Sequence, residues 1–314
     1  MRTAFIQTLY ELAEQDSRVW LLCGDIGYSV LEDFSSHFPD RFINAGVAEQ
    51  NMIGIATGLA MCGKIVFVYS IANFPTLRCL EQIRNDICYH RANIKIVAVG
   101  GGFAYGSAGY THHCLEDLAI MRVLPEMVVV APGDPVETKL ATKAIFNWQG
   151  PCYLRLGKAG EPIVYNSEPD FKVGKMILVK NGSDAAVFVT GGMLYTVLEA
   201  AQKAESQGCS VAVWSSPWLK PFDVETVMEA GSAYPVIFTV EEAQINAGLG
   251  SSVAEILASS PSSCAKLRRL GVADVFLREA YTQNSARVKM NLDASGICQT
   301  ILGTVTQFKN SHSA

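Results

Sequence analysis

The chain keeps returning to one pattern: a short run of unbroken apolar residues, a turn of glycines or polar residues, then a segment with helical apolar spacing. Val19-Trp20-Leu21-Leu22-Cys23, Lys64 to Tyr69, Ile94 to Val99, Met127 to Ala131 and Cys152 to Arg155 carry it through the first half. Ala185 to Val189, Ser210 to Trp214 and Val236 to Val240 carry it through the second. Strands without polar alternation are buried on both faces, and the intervening helices are what buries them. The pattern therefore predicts an α/β chain with mainly parallel sheets.

Helices are expected over 3–15, from Glu49 onward, and over 75–89, 134–147, 194–204, 223–230, 250–258 and 292–302. Between 161 and 174 the periodicity lapses into Glu161-Pro162 and Asn166-Ser167-Glu168-Pro169-Asp170, which reads as a linker. Two α/β domains result, at 1–166 and, smaller, at 174–314, with Lys309 to Ala314 as a frayed tail. A length of 314 residues and 49% hydrophobic content give each domain a sizeable core.

Charge narrows the partners. The net charge is −5 and there is no basic run, which argues against nucleic acid. An anionic small substrate would have to be held by a few placed cations. The nine cysteines are scattered without a CxxC pair and mostly lie in apolar runs, as in a reducing compartment. The first residues lack a signal-type apolar core and no stretch approaches membrane-spanning length, so a cytoplasmic location away from membranes is expected.

Chemistry-bearing residues gather at the ends of the predicted strands, where open parallel sheets bind ligands. Gly24-Asp25-Ile26-Gly27-Tyr28-Ser29 closes the first apolar run and reads equally as an ordinary turn or a binding turn. In Arg41-Phe42-Ile43-Asn44-Ala45-Gly46-Val47-Ala48-Glu49-Gln50-Asn51-Met52, Glu49 falls in a first helical turn, where a lone carboxylate also serves simply to face the helix dipole. The loop from Gly100 to His113 opens with three glycines and ends with two histidines. It has neither the lysine of a Walker loop nor GxGxxG spacing, so nucleotide binding is rejected. Neither a zinc-ligand set nor a nucleophile elbow occurs, and no metal ligand is assigned to this chain.

RFINAGVAEQNMIGIATGLA (41–60) resembles the segment of transketolases, deoxyxylulose-phosphate synthases and 2-oxo acid dehydrogenase beta chains that contacts the aminopyrimidine of thiamine diphosphate. THHCLEDLAIMRVLPEMVVVAPGDPVE (111–137) resembles a transketolase segment, and Val240 to Ser251 resembles the stretch VEEH…GGLGS of that family's C-terminal domain. The resemblance implies a pyrimidine-binding domain followed by a transketolase C-terminal domain. It gives Glu49 the catalytic contact to the ring nitrogen N1′, Phe74 the stacking face with Tyr69 second, and Asp25 and Ile26 a place beside the cofactor. It implies that His112 works at the substrate, with Arg2, Ser29, His113 and Lys158 as further substrate contacts.

Two departures stand out: the family's loop histidine corresponds to Gly100 and its sugar-reading aspartate to Ala108. The GDG motif that would hold diphosphate and metal is also missing, Gly24-Asp25-Ile26-Gly27 being the only near match. What the resemblance implies is the C-terminal subunit of a split transketolase, moving a two-carbon ketol unit from a ketose or its phosphate to an aldose. A separate N-terminal subunit would hold the diphosphate and Mg²⁺ or Ca²⁺, in a heterotetramer within which this chain pairs with its own copy. A 2-oxo acid dehydrogenase beta chain and a non-catalytic scaffolding relative remain as alternatives; Arg2 and the Thr111-His112-His113 motif favour transketolase over the former, retained Glu49, Phe74 and His112 over the latter.

Overall fold

The computed structural model describes residues 1–259 and 265–312, which form two sheets with helices on both faces. In chain order the strands are β1 (Val19–Cys23), β2 (Phe42–Asn44), β3 (Ile65–Ile71), β4 (Ile94–Val99), β5 (Val128–Val130), β6 (Cys152–Leu156), β7 (Ile177–Lys180), β8 (Ala185–Val189), β9 (Val211–Ser215), β10 (Trp218–Lys220), β11 (Val236–Gln244) and β12 (Lys266–Val272). The first sheet has the order β10-β5-β6-β4-β3-β1-β2 and the second β12-β11-β8-β9-β7. All pairings are parallel except β10 with β5 and β7 with β9, which are antiparallel.

The expected apolar runs are the inner strands. β4 and β6 are buried at every residue, because helices cover both faces. Lys95 in β4 and Arg155 in β6 are the charged exceptions to their apolar content, and Lys95 is fully buried. Its ammonium donates to the Trp148 and Gly150 carbonyls at 2.7 and 2.6 Å, which makes burial tolerable, while desolvation lowers its pKa.

Edges differ from expectation. β7 and β12 are half-exposed and carry Lys180, Lys266, Arg268 and Arg269, so no apolar run announces them. β2 and β10 are three residues each, too short for a periodic signal. The helix expected over 75–89 begins at Asn73 and is broken: Asn73–Arg78, then Leu80–Gln82, then a π-helical stretch Ile83–Cys88. Ile83, Ile87 and Cys88 are all buried there, a spacing that suits a wider turn. Short helices Glu32–His37, Asp117–Val123 and Gln283–Lys289 are additions to the expected set, and the last helix, Ala294–His312, runs through most of the expected frayed tail. Of the described cysteines only Cys62 is exposed, and Cys264 lies outside the described residues.

β10 belongs by sequence to the second half yet extends the first sheet, with Trp218 opposite Val130. Around it Ala131 N–H donates to Pro217 O at 2.7 Å and Gly191 N–H to Ala131 O at 3.0 Å. Among the described residues no helix is long and apolar enough to cross a membrane.

Candidate functional site

The carboxyl ends of β2, β1, β3, β4 and β6, neighbours in one sheet, bring the expected residues to one edge. Helix Arg2–Gln15 runs back along the sheet into β1, so its first residue reaches the same edge.

Two turns meet first. Asp25 and Ser29 are exposed with φ of 55° and 60°, left-handed conformations uncommon for residues with a side chain. Asn44, the last residue of β2, holds the turns together: its Oδ1 accepts from the N–H groups of Asp25 at 2.9 Å and Gly46 at 3.0 Å. The Asp25 carboxylate accepts from the Tyr28 hydroxyl at 3.0 Å and from Asn44 Nδ2 at 3.2 Å. Ser29 N–H donates to Glu32 Oε1 at 2.6 Å, and Ile26 packs partly into the core below.

Glu49 opens helix Glu49–Met61 and is 5% exposed. A Cβ on Gly24 would stand 3.3 Å from Gly46 O and 3.8 Å from Glu49 Cγ, so glycine keeps the carboxylate's flank clear. Arg78 Nη1 donates to Glu49 Oε1 at 2.9 Å, and Arg78 Cζ lies 4.3 Å from the Phe74 ring centre. Phe74 meets His112 edge-on at 5.3 Å between ring centres. His112 is half-buried, 3.0 Å from Thr111 Oγ1 through Nδ1, and Asn73 Nδ2 donates to Thr111 O at 2.6 Å, tying the loop to the Phe74 helix.

A second cluster lies beyond His112. Tyr105 stands 6.0 Å from the His112 ring, and the Lys158 ammonium lies 4.9 Å above the Tyr105 ring. Gly100 is required here: at φ 81°, any Cβ would collide with the Tyr105 ring. Burial raises the pKa of Tyr69 and Tyr105, and the Arg2 guanidinium pulls against both. Arg2 Nε is buried without a hydrogen-bond partner. Such an unsatisfied donor, with Lys158 over the Tyr105 ring on which Arg2 also acts, suits an anion.

Two expected residues do not reach the opening. His113 is buried, its Nε2 is 2.9 Å from Gly106 O, and its ring abuts Phe103, so it holds the loop's interior. Tyr69 is buried under the first turn, stacked toward Phe5 at 6.2 Å.

The loop itself is braced from the second half of the chain. Gly102 and Cys114 form a β-bridge at its base. Glu242, just past the apolar part of β11, accepts from Phe103 N–H at 2.7 Å and from Gln283 Nε2 at 3.0 Å, and pairs with Arg287. Arg155, buried in β6, donates to Asp117 Oδ2 at 2.8 Å and to the carbonyls of Cys114 and Glu242 at 2.8 and 3.0 Å.

Residues 1–160 match the domain family described as transketolase, pyrimidine binding domain, and residues 174–297 match transketolase, C-terminal domain. The chain belongs to the transketolase family. It is similar to one of the subunits of the apulose-4-phosphate transketolase of Phocaeicola vulgatus, with 37% identity over 96% of each chain. It is similar also to the 6-deoxy-6-sulfo-D-fructose transketolase subunit SqwH of a Clostridium species, 34% identical over 99% of this chain and 95% of that one. A solved structure described as a split gene transketolase, inactive beta4 tetramer, is 35% identical, covers 97% of each chain and superposes with a TM-score of 0.87.

Membership of the transketolase family implies thiamine diphosphate dependence. The residues at this edge fit the pyrimidine end of that cofactor: a buried carboxylate, an aromatic ring that shares Arg78 with it, and a glycine flank that leaves room. Among the described residues no group of three or more His, Cys, Asp or Glu could hold a metal. Sequence reasoning passes over Asn44, Arg78 and Tyr105. Arg78 carries a readable signal, lying four residues after Phe74 and so on the same helical face.

Proposed function

We propose that this transketolase-family chain is the pyrimidine-binding subunit of a two-chain transferase that moves a two-carbon ketol unit from a ketose or ketose phosphate to an aldose. The observation that carries the proposal is the buried Glu49 carboxylate standing beside Phe74 and His112 at one sheet edge. Thiamine diphosphate, when bound, supplies the carbon acid that accepts the ketol unit.

Each residue has a task. Glu49 exchanges a hydrogen bond with the pyrimidine nitrogen N1′, and its burial excludes water from that bond. Phe74 offers a ring face, while Asp25 and Ile26 border the cofactor and buried Tyr69 supports the turn that carries them. His112, oriented through Nδ1, moves a proton at a substrate oxygen through Nε2. Arg2 and Lys158 hold an anionic substituent, with Ser29 as a further contact. Tyr105 fills the space beside Gly100, which favours a substrate different in its hydroxyls from an ordinary pentose phosphate.

A separate chain is part of the proposal, because the diphosphate and its Mg²⁺ or Ca²⁺ need ligands from elsewhere. Tyr28, Val47, Leu77 and Tyr110, all exposed in the segments that form the opening, offer an apolar rim for it. The proposal keeps the domain bounds at 1–166 and 174–314, a cytoplasmic location, and a heterotetramer built on a pair of these chains. Calorimetry tests it: thiamine diphosphate with Mg²⁺ should give little heat with this chain alone and a saturable isotherm once a diphosphate-binding chain is added. Tight, metal-dependent binding by this chain alone would contradict the two-chain reading.

A further inference from the structure

Arg78 touches both groups that the proposed function gives to the aminopyrimidine. Its guanidinium donates to Glu49 Oε1 at 2.9 Å and lies 4.3 Å from the Phe74 ring centre. A guanidinium and an aminopyrimidine are both planar N–C–N arrays that hydrogen-bond a carboxyl group and stack on a ring, the guanidinium as donor and the neutral ring nitrogen as acceptor from the protonated acid. A group making both contacts at once stands in the space between them, and a pyrimidine making the same two contacts needs that space.

We propose that Arg78 occupies the pyrimidine seat of the unloaded chain and must swing out for the cofactor to enter, so that it sets cofactor affinity. The inference rests on the functional reading above. The two sides of the ion pair are unequal: the Arg78 side chain is 49% exposed and the Glu49 side chain 5%. Leaving is cheap for Arg78, which rehydrates in solvent, whereas Glu49 needs a replacement partner, which the pyrimidine nitrogen provides by accepting from the protonated carboxyl. The movement is confined to the side chain, because Gln50 Nε2 donates to Arg78 O at 2.9 Å and anchors the backbone.

Helical spacing of four residues already brings Arg78 over Phe74, and the second contact, to Glu49 on another helix, is what makes one guanidinium span both groups. Covering both keeps the apolar ring and the carboxylate out of water until a ligand replaces the guanidinium at both.

Two measurements test this. In the complex with a diphosphate-binding chain, thiamine diphosphate titrated with Mg²⁺ should bind Arg78→Met roughly three- to tenfold more tightly than wild type, with Arg78→Lys between them. The gain should shrink in a Glu49→Gln background, where the ion-pair half of the contact is already gone. Weaker or unchanged binding by Arg78→Met would overturn the proposal, showing that Arg78 stays and supports the loaded site.

The second measurement needs no activity. The Arg78 Nε–H and δ-methylene resonances should sit upfield under the Phe74 ring current, lose that shift in Phe74→Leu, and move to solvent-exposed positions on cofactor addition. Resonances that stay upfield in the loaded complex would equally overturn the proposal. Should the wild-type complex bind no thiamine diphosphate while the upfield shift is present, the functional reading itself has failed and takes this inference with it.

Discussion

The two sheets share an architecture, parallel strands between helices, yet their carboxyl edges are used in opposite ways. At the first, polar groups stand open: exposed Asp25 and Ser29 in left-handed turns, Arg2 Nε without a partner, Lys158 in solvent. At the second, two carboxylates are taken up by the fold, while the buried Thr190 Oγ1, Ser216 Oγ and Gln244 Oε1 have no hydrogen-bond partner. Glu241 accepts from the N–H groups of Leu249 and Gly250 at 2.8 Å each, closing the start of helix Leu249–Ser259, and Glu242 braces the histidine loop. The lesson is that two edges of like architecture differ in what stands exposed at them: charged side chains and left-handed turns at the first, carboxylates committed to helix and loop backbone at the second.

The largest effect expected is at Glu49. Glu49→Gln should leave the melting temperature near wild type but slow exchange of the cofactor's thiazolium C2 proton by about 10²–10⁴-fold in the two-chain complex, measured in deuterated buffer. Wild-type exchange would end the functional half of the comparison. Glu242→Ala should do the reverse, lowering stability by about 3–5 kcal/mol, since it strands the partly buried Arg287 and frees Phe103 N–H. A denaturant series reads this out, and a variant as stable as wild type would show that this carboxylate of the second edge is not committed to structure.

The pH dependence of stability sharpens the same contrast. Burial pushes the Glu241 carboxyl up to about 7 from an ordinary 4.5, against the pull of the Gly250 and Leu249 N–H groups. The folded chain therefore holds an extra proton between those values, and stability should fall as pH rises from 4.5 toward 7. Glu137, raised by burial in the same direction, adds to the slope. The total loss from Glu241 is on the order of 3 kcal/mol, and Glu241→Gln should flatten much of the profile in thermal melts across that range. A wild-type profile that climbs through this window would refute the assignment.

The smallest effect is expected at the open edge's rim. Lys158→Ala should raise KM for a phosphorylated substrate by roughly two- to tenfold with little change in kcat, because an exposed ammonium contributes about 1 kcal/mol. Added salt should shrink the difference. A salt-independent effect would move Lys158 out of the anion site.

Legibility followed burial. Inner strands such as Ile94–Val99 declare themselves because both faces are covered and every position is apolar or, like Lys95, internally satisfied. Edge strands do not, since Lys266–Val272 and Ile177–Lys180 are half in solvent and carry charge. At the site, Glu49, Phe74 and His112 were legible through motifs contiguous in sequence. Tyr105 and Asn44 were not, because what they do arises from contacts between segments: Tyr105 is the ring folded over Gly100, and Asn44 the bridge between two turns.

β10 has one further consequence. The strand that closes the first sheet's edge arrives from beyond the linker, and Phe171 within that linker packs on Trp218 at 5.6 Å. Cutting the chain near residue 170 would leave β5 with unpaired backbone groups and an apolar border, a surface prone to self-association. The halves are thus mutually dependent for solubility, and heating should melt them in one transition. A gene fission there would leave the first half with a bare β5 edge until the strand from the second half covered it.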